Sequence, residues 1–124
     1  MEKLGGYYNS DLNRFIGEKL PKIMTSIDLD LFQLKKKKKI IRFAEYKHEN
    51  EKLGHQQKKA LEQLGKIAKN INENTNLFDG WKVSVVLIRG NFPFNVIKVY
   101  SFIDGNECII TDENKIKSYL TIEN

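Results

Sequence analysis

A chain of 124 residues is long enough for one domain with a single core and too short for two. With 40% hydrophobic and 30% charged residues it is expected to fold as a soluble globule, and no apolar run approaches the roughly 20 residues that span a bilayer. The formal charge of +5 points to an anionic partner, nucleic acid first, whereas a single cysteine, Cys108, excludes an internal disulfide or a cysteine-built metal site.

The first fifteen residues hold no uninterrupted apolar stretch, so no secretory leader is expected and the expected address is the reducing cytoplasm. Ser10 and Asp11 precede Leu12, Phe15, Ile16 and Leu20, an apolar stripe at helical spacing. Ser10 suits an N-cap and Pro21 a stop, which predicts a helix of about ten residues. From Thr25 the period changes to two: Ile27, Leu29 and Leu31 alternate with Asp28, Asp30 and Phe32, as in a strand. Lys35, Lys36, Lys37, Lys38 and Lys39 follow, either a phosphate-contacting loop or a hairpin tip kept polar by its own repulsion. Ile40 to Lys47 reads as a second strand, and the two predict an antiparallel hairpin.

A long helix is predicted from about Leu53 to Ile71, with Ala60, Leu61, Leu64, Ile67, Ala68 and Ile71 on one face and lysines opposite. Asn72 to Asn76 should end it in a polar turn. Val83 to Ile88 is apolar on both faces, the pattern of an inner strand packed on each side. Asn95 to Ile103 reads as a strand, Asp104-Gly105-Asn106 as a tight turn, and Cys108 to Ile110 as a short strand. Thr111 or Asp112 should cap a last helix running to Leu120. The expected fold is a single α/β domain, a mixed central sheet flanked by helices.

Chemistry concentrates in one stretch. Asp28 and Asp30 share a strand face, as do Ile41, Phe43, Glu45 and Lys47 on the next strand, with Arg42, Ala44 and Tyr46 on the other side. Ile41 and Phe43 favour burial of the upper part of that face, with Glu45 and Lys47 emerging at the rim. Gln57 lies three and four residues before Ala60 and Leu61, so it shares the apolar side of its helix and needs a polar partner there.

Ser26 to Phe32, followed by Ile41-Arg42-Phe43-Ala44-Glu45-Tyr46-Lys47 and then Gln57-Lys58-Lys59-Ala60-Leu61, resembles the PD-(D/E)XK nuclease superfamily over roughly residues 10 to 88. The resemblance implies a restriction-endonuclease-like core and a Mg²⁺- or Mn²⁺-dependent endonuclease acting on DNA. It implies that Asp30 and Glu45 hold the cation, helped by a backbone carbonyl near Tyr46, with Asp28 either a second ligand or an edge residue near the entrance, and Glu18 either an additional ligand or, as its place beside the apolar stripe favours, a surface residue. It also implies that Lys47 sits beside the attacking water and that Gln57 belongs to the site. These residue types suit the chemistry, because a hard divalent cation prefers oxygen ligands and shields the charge that grows on a phosphodiester. The chain departs from the pattern in three ways. Only Pro21 to Met24 is left for the usual strand before the Asp, Leu29 stands where the motif proline would, and the hairpin after Ile88 lies outside the minimal core.

Small stand-alone members of that superfamily include Holliday-junction resolvases, which act as homodimers, so branched DNA and self-association through Phe92-Pro93-Phe94 and Val96 to Ile103 are expected by analogy. Trp81, Phe92, Phe94 and Tyr100 are read as core or dimer surface rather than base-stacking platforms. His48 and His55 match no zinc spacing, and no glycine-rich phosphate loop or nucleophile elbow is present. The alternative is a non-catalytic nucleic-acid-binding domain using Lys35 to Lys39 and the helix lysines. Only the nuclease needs Asp30 and Glu45 as a pair.

Overall fold

The structure, a computed structural model, describes residues 29–123 and, in helical conformation, Asp11, Phe15, Glu18 and Lys19. The described chain forms a five-stranded sheet in the order β1-β2-β3-β4-β5. The strands are β1 (Leu31–Lys35), β2 (Ile40–Lys47), β3 (Lys82–Arg89), β4 (Val96–Ser101) and β5 (Glu107–Thr111). Helix α1 (His55–Glu73) connects β2 to β3, and α2 (Glu113–Leu120) follows β5. Only β2 and β3 are parallel; every other neighbouring pair is antiparallel, so the sheet is mixed. No helix among the described residues is long and apolar enough to cross a membrane.

The two-residue period of the strands sorts their side chains into two cores. Val83 and Val85 of β3 and Ile41 and Phe43 of β2 meet Leu61, Leu64, Ala68 and Ile71 of α1. On the opposite face Ala44, Val86, Ile88, Ile97 and Val99 meet Ile116, Tyr119 and Leu120 of α2. The doubly apolar reading of Val83 to Ile88 is therefore correct, since β3 is covered on both sides. Gly65 lets α1 approach the chain after β4 closely, because a Cβ there would lie 2.9 Å from the Phe102 carbonyl carbon.

Several boundaries move, each for a physical reason. The first strand starts at Leu31, with Leu29 and Asp30 leading into it, and it extends to Lys35. Residues 21–28, including Asp28, lie outside the described residues. The lysine run is split: Lys35 ends β1, Lys36–Lys38 form a 3₁₀ turn, and Lys39 adopts the left-handed conformation that reverses the chain. Helix α1 begins at His55 and reaches Glu73, so Asn72 is helical rather than a stop. The Asn72 side chain accepts from the Val83 N–H (2.7 Å) and donates to the Val83 carbonyl (2.8 Å), covering the edge of β3 that β4 does not reach. Strand β4 stops at Ser101 and turns through Gly105 at φ 77°, although Phe102 N–H still reaches the Val85 carbonyl at 2.8 Å. Asp112 is the cap of α2, its carboxylate accepting from Asn114 N–H at 2.9 Å.

Candidate active site

Strand β2 carries one face from the core to the surface. Ile41 and Phe43 lie under α1, and the next residue on that face is Glu45. Glu45 is 4% exposed, so the carboxyl expected at the rim is in fact buried. Helix α1 is what covers it: Gln57 in its first turn donates from Nε2 to Glu45 Oε2 at 2.9 Å. The same Gln57 amide accepts the Gly54 N–H through Oε1 at 3.1 Å. That second bond fixes which end of the amide faces Glu45, and it satisfies a free N–H at the helix start.

Asp30 arrives from the hairpin. The register that pairs Leu31 with Ala44 sets Asp30 beside Glu45, and Asp30 Oδ2 accepts the Tyr46 N–H at 2.9 Å as a last rung of the ladder. Burial pushes the Glu45 carboxyl up to about 7, the neighbouring Asp30 charge pushes the same way, and Lys47 works against both. Glu45 Oε1 is buried and has no hydrogen-bond partner. Lys47, two residues on, holds Nζ 3.9 Å from Glu45 Oε2 and 3.5 Å from Glu51 Oε2.

Glu51 is a member of this group that the sequence did not single out. It also accepts the His48 N–H at 3.0 Å, and that bond and Lys47 hold its carboxyl below the ordinary value. Arg89, opposite Lys47 in the β2–β3 register, donates to the His48 carbonyl at 3.3 Å and to the Glu51 carbonyl. The turn after β2 is thereby clamped to β3. No spacing rule marks Glu51, because its role depends on a loop folding back on Lys47.

The structure thus brings together Asp30, Glu45, Lys47 and Gln57. Glu18 is exposed, and no third carboxylate, histidine or cysteine joins Asp30 and Glu45 in a metal-sized cluster among the described residues. The lysine run lies at the other end of β2, roughly 17 Å away over five residues of strand. Much of it is structural. Lys35 Nζ donates to the Thr121 carbonyl (2.9 Å) and pairs with Glu123 (3.3 Å), and Lys38 Nζ donates to the Glu123 carbonyl. Lys39 pairs with Asp79 at 3.4 Å. The side chains of Lys36 and Lys37 are left free of hydrogen bonds and ion pairs among the described residues. In the segment Val96 to Ile103, β4 lies inside the sheet between β3 and β5 and offers no free edge, while Val96 is exposed. Phe92, 84% exposed, remains outside.

The donor set fits a divalent cation. It consists of oxygens, one of them buried and unpartnered, and Glu45 sits where its charge needs neutralising. No protein family, curated protein or solved structure matches the chain.

Proposed function

We propose that the chain is a metal-dependent nuclease of the PD-(D/E)XK type that hydrolyses DNA phosphodiester bonds. The observation that carries this reading is the grouping of Asp30, Lys47 and Gln57 about the Glu45 carboxylate, whose Oε2 faces Gln57 and Lys47 and whose Oε1 is buried and unpartnered. A polar cluster of this kind costs stability, and nothing in the packing of either core requires it. Asp30 and Glu45 would hold a Mg²⁺ or Mn²⁺ ion, which supplies charge neutralisation and a more acidic water when bound.

The chain's own residues do the rest. Gln57 orients the Glu45 carboxylate and, being tied to Gly54, keeps it from rotating away. Lys47 sets an ammonium beside the carboxylates, where it can orient a water and hold the charge developing on the phosphate. Glu51 holds that ammonium from the far side. DNA as substrate is supported by the net charge of +5. Branched DNA and a homodimer remain the expectation by analogy.

The test is a labelled four-way junction and its matched linear duplex, incubated with Mg²⁺ and with Mn²⁺. Wild-type cleavage that falls by about 10²–10³ in Lys47→Ala is expected, by analogy with removing one charge-stabilising donor. Binding without cleavage of either DNA under both metals would overturn the proposal.

A further inference from the structure

Beside α1 lies a groove that meets the candidate active site only at Glu51 and Arg89 and otherwise runs along residues the nuclease reading does not use. Two clefts of about 630 and 450 Å³ open between α1 and the end of the sheet, and Tyr100 and Phe102 line both. The half-buried aromatic pair, edge-to-face with centroids 5.0 Å apart, is therefore the wall that the two clefts share. Lys58, Lys66 and Lys69 flank it along α1, spanning roughly 16 Å of helix. Lys98 faces them from β4, two residues before Tyr100 and so on the same sheet face.

None of these four lysine side chains makes a hydrogen bond or ion pair among the described residues. That separates them from Lys35, Lys38 and Lys39, which the fold consumes. Glu62 and Glu107 also line the groove, and Glu49 and Glu51 stand at the end near the candidate active site. An occupant must therefore offer more than negative charge. An aromatic centre flanked by unpaired ammonium groups suits a chain that alternates phosphates with flat bases.

We infer that this groove is a binding track for single-stranded nucleic acid, with bases stacked on Tyr100 and Phe102 and phosphates held by Lys58, Lys66, Lys69 and Lys98. Tyr100 is thus a stacking platform, against its reading from sequence as core or dimer surface. Binding there holds or fails independently of cleavage, because it requires no metal.

The experiment is fluorescence anisotropy of a labelled twelve-nucleotide oligothymidine, with the full chain in EDTA. Tyr100→Leu is expected to weaken binding about tenfold. Lys66→Ala combined with Lys69→Ala is expected to weaken it and to lower the salt slope by about 1.4. Because these two lysines are exposed, the double variant keeps the test valid should Tyr100→Leu unfold. Lys36→Ala with Lys37→Ala, at the hairpin tip, should leave binding unchanged. The inference is overturned if the hairpin pair carries the affinity or if the groove variants bind like wild type. It is equally overturned if heparin or polyglutamate displaces the oligonucleotide from wild type and from folded Tyr100→Leu alike, or if a duplex of equal length binds tighter. Cleavage of the junction and duplex is scored separately, so failure of the groove and failure of the nuclease give different results.

Discussion

Replacing Glu45 with glutamine should stabilise the metal-free protein, although Glu45 is one of its best-buried polar residues. Burial and Asp30 move the Glu45 carboxyl from its ordinary value of 4.5 to about 7. The folded chain therefore keeps a proton that the unfolded chain has already released. The stability contributed by this group is complete below pH 4.5 and is lost as pH rises to 7, amounting to roughly 3 kcal/mol. Glu45→Gln removes the charge but keeps an acceptor for Gln57 Nε2. At pH 8 in EDTA the variant should be more stable than wild type by about 3 kcal/mol, and by pH 5 the gain should shrink to about 1 kcal/mol. Urea unfolding of both proteins from pH 5 to 8 measures this, and the difference between them cancels the titration of other groups. Millimolar Mn²⁺ should then raise the stability of wild type and leave the variant unmoved, because only wild type gains by binding an ion at the paired carboxylates. A variant less stable than wild type at pH 8, or a difference flat across the range, would refute the account of Glu45 as a strained, charge-bearing site.

Gln57→Ala loses both the bond to Glu45 and the one to Gly54; it should cost about 1–2 kcal/mol in urea unfolding and weaken Mn²⁺ binding measured by calorimetry. Gly65→Ala should destabilise by about 1–3 kcal/mol despite its better helix propensity, since its Cβ would drive α1 off the Phe102 backbone; a neutral thermal melt would contradict the close approach. Asn72→Ala leaves the Val83 N–H and carbonyl without their partner and should cost about 1–3 kcal/mol. Hydrogen exchange at the Val83 amide should accelerate in that variant, and unchanged protection would show that the side chain is dispensable there.

The parts of the fold governed by local periodicity were legible. The alternation in Ile40 to Lys47 correctly divided the strand into the face under α1 and the face against α2, and the stripe from Leu61 to Ile71 located the buried side of α1 except at Ile67, which is exposed. It also put Gln57 on the side where Glu45 waits. What failed was whatever depends on residues distant in sequence. The burial of Glu45 follows from how far α1 reaches over β2, which no spacing within β2 encodes. Asn72 looks like a helix breaker until β3 offers it two backbone groups. The lysine run looked like one feature, yet its members divide according to whether residues 79 or 121–123 lie within reach.

The closure of the hairpin against the chain's last residues constrains the order in which the molecule can be completed. Arg42 is buried, its guanidinium 4.0 Å from the centre of the Tyr119 ring, and it donates to Gln33 Oε1 and to the Tyr119 carbonyl, each at 2.9 Å. Gln33 in turn donates to the Leu120 carbonyl. Arg42 is made 77 residues before the Tyr119 carbonyl, so until that acceptor is added it has no native counterpart beyond its own hairpin. Helix α2 is too short to persist alone and gains its register only on docking. The hairpin waits for the helix and the helix for the hairpin, so the α2 face of the sheet should be settled last, whereas the α1 face needs nothing beyond Ile103.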